Sequence, residues 1–206
     1  GIFVDECKNY LLERQIWMPG EREQTKYPTI IVIMSEAFWD MDYLSDTVSM
    51  SENPMERYYE IAENCISGEI AVNVYGGQTV MTEFEFLTGI NVINLLGTPF
   101  WYDRVTQGAD TFVSYLKELG YDAVAIHPGP GYFYGRKDAY QNMGFDTFYD
   151  MQSFQNREYY RTYLSDHALT DEIIYRYEEH MRNRPENPLF CFAVSIANHV
   201  VQLNLG

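Results

Sequence analysis

The sequence predicts an α/β fold with a mostly parallel central sheet flanked by helices. Three observations carry this expectation. Short continuous apolar runs, TIIVIM (29–34), DAVAI (122–126) and LFCFAVSI (189–196), have the composition of strands buried on both faces, as in a parallel sheet. Segments with helical spacing separate them, so strands alternate with helices along the chain. The 206 residues are 46% hydrophobic and 16% aromatic, enough for one substantial core and incompatible with disorder.

Residues 1–26 are mixed and charged and read as an irregular or helical lead-in, leaving 27–206 as the folded domain. After the first strand, NPMERYYEIAEN (53–64) has helical spacing at Met55, Tyr58, Tyr59 and Ala62. EIAVNVY (69–75) is a second strand candidate, and 79–88 reads as a helix with Val80, Phe84 and Leu87 on one face. TFVSYLKELG (111–120) is a helix with Gly120 past its end. DAVAI is the next strand, RKDAYQNMGF a short helix and DTFYD a short strand. ALTDEIIYRYEEHMRNRP is a long helix in which Leu169, Ile173, Tyr177 and Met181 recur, ended by Pro185, before the last strong strand at 189–196.

Charge narrows the function. Asp and Glu number 30 against 14 Lys and Arg, a formal net charge of −16, which repels nucleic acid and leaves anionic substrates only where a metal or a local Arg reverses the field. Cys7, Cys65 and Cys191 form no CxxC or metal-ligand spacing, and Cys191 lies in an apolar strand run. No apolar run reaches the ~18 residues of a membrane helix. The chain starts at Gly1, and we expect it to be a piece of a longer protein with a membrane segment upstream.

In open parallel sheets the ligand site lies at the carboxyl ends of the strands. Glu36 follows the first strand, Thr79 the second, His127 follows DAVAI, and His199 follows the last. Each has a plain structural reading: a loop carboxylate or cap for Glu36, an N-cap for Thr79, a satisfied histidine for the other two. Their convergence on one edge suggests chemistry instead. A Thr hydroxyl becomes a nucleophile when a metal or base lowers its pKa, and Glu36 could hold that metal. The helix running from Thr79 offers its positive end to an anion, and Gly76 and Gly77 allow close backbone approach.

TIIVIMSEAFWD followed by YGGQTVMTEFEFLTG resembles the lipoteichoic acid synthase-like, phosphoglycerol transferase branch of the sulfatase/alkaline phosphatase superfamily. The second motif is Gly, any residue, Thr, three residues, Glu-Phe, then an apolar helix. AIHPGPGYFYGRKDAYQNMGFDTFYD is similar to the family's substrate-binding segment, with His127, Tyr134 where Trp is usual, and Arg136. SIANH supplies His199. The resemblance implies an alkaline phosphatase/sulfatase-like fold over about residues 27–199. It also implies Glu36 as metal ligand, Thr79 as metal ligand and nucleophile, and His127, Tyr134, Arg136 and His199 as substrate-binding residues. The metal implied is manganese, which suits oxygen and imidazole ligands. The reaction implied moves glycerol phosphate from phosphatidylglycerol to a glycerol phosphate polymer or glycan. It would occur at the outer face of the bacterial plasma membrane, in the extracellular domain of a membrane-anchored protein.

The family completes its metal site with an Asp-His pair on a later strand, whereas this chain ends at Gly206. Asp166-His167 opens a helix and reads as capping and surface. The domain is therefore expected to be C-terminally truncated, with Glu36 and Thr79 as the matching metal ligands and no activity on its own. A non-catalytic binding or assembly domain is the reading from another class; a phosphoethanolamine transferase or sulfatase is the enzymatic alternative, although Thr79 cannot become formylglycine. EYYRTY and ERYYE read as core and interface aromatics rather than sugar-stacking platforms, and His180 as a solvated position near a helix C-terminus.

Overall fold

The computed structural model describes residues 27–74, 78–94, 105 and 107–199. The expected lead-in, Gly76 and Gly77 lie outside them. Four strands form a parallel sheet in the order β1 (Ile30–Met34), β6 (Leu189–Val194), β2 (Asp122–Ile126), β3 (Thr147–Tyr149). Ile30 pairs with Phe190 and Met34 with Val194, while Asp122 pairs with Leu189 and Ile126 with Ala193. The central β6 is buried at every residue, as its unbroken apolar run requires.

Alternation along β6 builds a core on each face. Phe190, Phe192 and Val194 face one core with Ala123 and Ala125 of β2. Three helices close it: α2 (Thr79–Thr88) through Val80, Phe84 and Leu87, α3 (Phe112–Glu118) through Val113 and Leu116, and α4 (Arg136–Met143) through Tyr140 and Met143. Leu189, Cys191 and Ala193 face the other core, against Ala168, Leu169 and Ile173 of α5 (Asp166–Asn183). Each fully buried large apolar side chain contributes roughly 1.5–3 kcal/mol before entropy is counted. Burial pushes the Cys191 thiol up to about 12, so it acts as a small core hydrophobe.

Helix ends follow local chemistry. Thr111 and Ser114 form a reciprocal capping box on α3, and Ser165 accepts from the Ala168 N–H on α5. Gly120 and Gly144, at φ +89° and +105°, take the left-handed turns that stop α3 and α4.

Four expectations differ from the fold. β1 is an edge strand among the described residues and is covered on one face: Ile30, Val32 and Met34 pack against the core, while Ile31 and Ile33 on the opposite face are 44% and 56% exposed. Residues 69–74 of the second strand candidate are irregular and pair with no described strand; 69–73 are exposed, and only Val74 packs against the core. EYYRTY forms an antiparallel hairpin, β4 (Tyr159–Tyr160) and β5 (Tyr163–Leu164), whose Tyr159 and Tyr160 are half exposed; only Leu164 enters the core. In ERYYE, part of the short helix α1 (Glu56–Ala62), Tyr58 is likewise exposed. His180 is tucked in rather than solvated: Nε2 lies 2.8 Å from the Asn187 carbonyl and Nδ1 3.8 Å from Asp122. Among the described residues no helix is long and apolar enough to cross a membrane.

Candidate active site

The carboxyl ends of β1 and β6 are strapped together. The Ser195 N–H donates to the Met34 carbonyl at 3.0 Å, and the Glu36 N–H donates to Ser195 Oγ at 2.8 Å. This fixes Glu36 just beyond the sheet. Thr79 reaches the same point from α2, and its hydroxyl donates to Glu36 Oε1. Thr79 is not an N-cap. Gln78 holds that position in a left-handed conformation (φ +58°) without a side-chain cap, and Thr79 is the first helical residue. Its hydroxyl is thus committed to Glu36 rather than to the backbone. Residues 69–74 upstream of Thr79 form no strand, so the site edge gains Thr79 through the packing of α2.

His127 follows β2 directly, and its N–H donates to the Tyr149 carbonyl. Its Nδ1 lies 3.0 Å from the Val194 carbonyl, which can only accept, so Nδ1 carries the proton. Nε2 is then a bare lone pair, buried with no partner among the described residues. Burial, then the Arg136 charge, lowers the imidazole pKa to about 4, so the ring is neutral. The HPGPG loop explains its glycines here: a Cβ on Gly129 would stand 2.6 Å from Nε2, and one on Gly131 would strike Asp150.

Arg136 opens α4 and is 1% exposed. Glu83, one turn along α2 from Thr79, accepts from Arg136 Nη2 at 2.6 Å and Nε at 3.3 Å, and from the Tyr140 hydroxyl at 2.6 Å. Burial raises the Glu83 pKa, but the Arg136 charge and these hydrogen bonds outweigh it and hold the carboxyl below its usual value. Tyr134, in the left-handed region (φ +57°), presents its ring 5.4 Å from the guanidinium carbon. His199 stands at the mouth with Nε2 4.0 Å from Glu36 Oε1 and its ring edge-on to Tyr163. Glu36, His127, Tyr134, Arg136, Tyr163 and His199 line one pocket of about 210 Å³.

The six residues singled out in the sequence therefore meet in one place. Glu83, Tyr140 and Tyr163 were not assigned roles. Glu83 and Tyr140 were detectable in principle: each lies four residues after a site residue, on the same helix face, and Glu83 interrupts an otherwise apolar buried stripe. Glu36 and Thr79 supply two hard oxygen donors in contact, whose chemistry fits a divalent cation. Among the described residues no group of three His, Cys, Asp or Glu surrounds such an ion. Asp166 and His167 begin α5, where His167 is exposed and paired with Glu158 at 2.8 Å.

The sulfatase family model matches residues 28–204. The chain belongs to the sulfatase family. This sulfatase domain is 32% identical over 183 residues to a putative cyclic beta-1,2-glucan modification protein of Rhizobium meliloti, covering 88% of the chain and 27% of that protein. Its fold matches the Streptococcus pyogenes phosphoglycerol transferase GacH, solved in complex with sn-glycerol-1-phosphate. The TM-score is 0.72 at 24% identity, over 87% of this chain and 47% of that one. The lipoteichoic acid synthase LtaP of Listeria monocytogenes matches with TM-score 0.71 and 18% identity, over 94% and 47%. The sulfatase domain thus spans about a quarter of the first relative and about half of each solved chain. Members of the superfamily are metal-dependent.

Proposed function

We propose that this sulfatase domain is part of a phosphoglycerol transferase. It moves glycerol phosphate from phosphatidylglycerol to a glycan or glycerol phosphate polymer at the outer face of the bacterial plasma membrane. The observation that carries the reading is the Thr79 hydroxyl held against Glu36 at the mouth of a pocket whose wall includes a buried Arg. The sn-glycerol-1-phosphate bound in the GacH structure is a small anion, and such a pocket suits it.

Thr79 Oγ1 attacks the donor phosphorus, and its proton leaves along the hydrogen bond to Glu36. The bond from phosphorus to the diacylglycerol oxygen breaks, and His199 at the mouth supplies that oxygen with a proton. Arg136, fixed by Glu83, meets the non-bridging oxygens, while the N-terminus of α2 adds its partial positive charge. Neutral His127 offers Nε2 to a hydroxyl of the glycerol. An acceptor hydroxyl then attacks the phosphothreonine and frees Thr79. A divalent cation, manganese by the family resemblance, would be held by Glu36 and Thr79 and would lower the pKa of the hydroxyl.

The test is donor turnover by the full-length protein with phosphatidylglycerol. Thr79→Ala should abolish diacylglycerol release, Thr79→Ser should retain a fraction, and a phosphoglyceryl adduct should be found on residue 79 by mass spectrometry. Activity in Thr79→Asn equal to that of Thr79→Ser would remove Thr79 as nucleophile.

A further inference from the structure

We infer that the β4–β5 hairpin is the acceptor subsite and that its occupant is a neutral saccharide; this rests on the transfer reaction proposed above and selects between its two acceptors. The hairpin pairs Tyr160 with Tyr163. Directly opposed residues of an antiparallel pair project from the same face. Tyr163 lines the pocket and meets His199 at 5.9 Å, so Tyr160 continues the same surface outward. Tyr160 is 50% exposed, and the Arg161 guanidinium lies 5.2 Å from its ring centroid.

The hairpin is held from below. Leu164 is buried in the core under α5, the Ser165 N–H donates to the Glu158 carbonyl at 2.9 Å, and Ser165 caps α5. Its turn holds Arg161 in the left-handed region at φ +56°. A non-glycine residue there carries a conformational cost, which fits a side chain placed for a purpose. The result is a pre-formed ledge of two adjacent tyrosines, leading from the nucleophile side of the pocket to solvent.

A pyranose has an apolar C–H face and a rim of hydroxyls. A tyrosine ring, apolar in body with a polar tip, is complementary to it, and the Arg161 guanidinium can bond the hydroxyl rim. Charge disfavours the other acceptor. With a formal net charge of −16, the chain repels a glycerol phosphate polymer, and Arg161 alone does not reverse that along an extended polyanion. A neutral glycan meets no such penalty. Bound on the ledge, it would present a hydroxyl towards the phosphorylated Thr79, forming the new O–P bond while the Thr79 O–P bond breaks. The acceptor proton passes to His199, which gave up its own in the first step, and the proton held by Glu36 returns to Thr79 Oγ1.

The experiment uses the full-length protein, phosphatidylglycerol as donor, and two acceptors: a neutral β-1,2-linked glucan oligosaccharide and a short glycerol phosphate oligomer. Tyr160→Ala should raise the glucan KM roughly tenfold, the loss expected for one aromatic contact, with kcat at saturating glucan retained. Tyr160→Phe should keep the original KM. An unchanged glucan KM in Tyr160→Ala overturns the subsite, and so does a preference of the unsubstituted protein for the glycerol phosphate oligomer. A rise in donor KM instead would make the ledge a lipid-facing surface and overturn it as well. If the unsubstituted protein releases no diacylglycerol, the transfer reaction itself fails. Calorimetric titration with glucan then decides the ledge alone: binding weakened about tenfold by Tyr160→Ala supports it, and no binding refutes it.

Discussion

Two arginine–glutamate pairs, one on each face of the sheet, use the same chemistry for different ends. On the α5 face, Arg176 bonds Glu172 and Glu179, both at 2.8 Å, and the Ser153 carbonyl at 3.2 Å, and it lies 3.8 Å over the Tyr149 ring. Glu172 also accepts from the Gln155 N–H. Every one of these partners is protein, and together they staple α5 to the loop after β3. On the other face, Arg136 is paired with Glu83 and Tyr140, yet it also forms part of the wall of the pocket that holds Glu36, His127 and His199. A buried charge costs several kcal/mol to desolvate and is retained only when well paired. The staple spends that pairing on connecting elements. In the pocket, the same pairing keeps a cation rigid and dry at the place where an anion would arrive.

The comparison breaks most directly at the carboxylates. Glu83→Ala removes the carboxylate that pairs with fully buried Arg136 and should cost about 3–5 kcal/mol of stability by denaturant titration, whereas Glu172→Ala leaves Arg176 its bond to Glu179 and should cost less. Only Glu83→Ala should also weaken glycerol phosphate binding, because only that carboxylate orients a pocket residue. Equal loss of ligand affinity in both would mean that the ligand effect is general destabilisation.

A pH titration isolates the pocket side next. His127 has its folded pKa lowered to about 4 from 6.5. Between those values the unfolded chain binds the proton more readily than the folded one. The stability contribution is therefore complete above pH 6.5 and is lost as pH falls towards 4. The loss is at most on the order of 3 kcal/mol, and His127→Gln should flatten the profile over that window. An unchanged slope would show that the imidazole does not stay neutral inside the fold.

The smallest effect separates the arginines by geometry. Arg136→Lys keeps the charge but cannot bond Glu83 along one edge and meet phosphate oxygens as well. Affinity for glycerol phosphate should fall roughly tenfold, about 1.4 kcal/mol, while Arg176→Lys leaves it unchanged. Isothermal titration of the two variants reads this directly, and equal affinities would remove Arg136 from the ligand site.

Much of this arrangement was legible in the chain. Continuous apolar runs gave three of the four sheet strands, because a parallel strand buried on both faces needs apolar side chains at both phases. The spacing of Val80, Phe84 and Leu87 gave α2 to the residue, and the rule that parallel sheets bind ligands at their carboxyl ends collected Glu36, His127 and His199. The edge position of β1 was not legible, since period and composition report how apolar a strand is but not how many neighbours it has. The expected strand at 69–74 fails for a related reason: β-branched residues permit a strand, but whether the segment is brought alongside a sheet edge is a tertiary matter that composition does not report.

The sequence by itself determined the α/β class, the sulfatase-type motifs, and which residue types converge on one edge of the sheet. The class follows from local periodicity, the motifs from resemblance to a known family, and the convergence from the rule that parallel sheets carry their sites at the strands' carboxyl ends. The tertiary structure alone decided that Thr79 gives its hydroxyl to Glu36 instead of capping its helix, that Glu83 and Tyr140 hold Arg136, and that EYYRTY lies open beside the pocket. These contacts join residues 43, 53 and 57 positions apart. Such pairings are set by how α2 and α4 pack on the sheet, information that no local pattern contains.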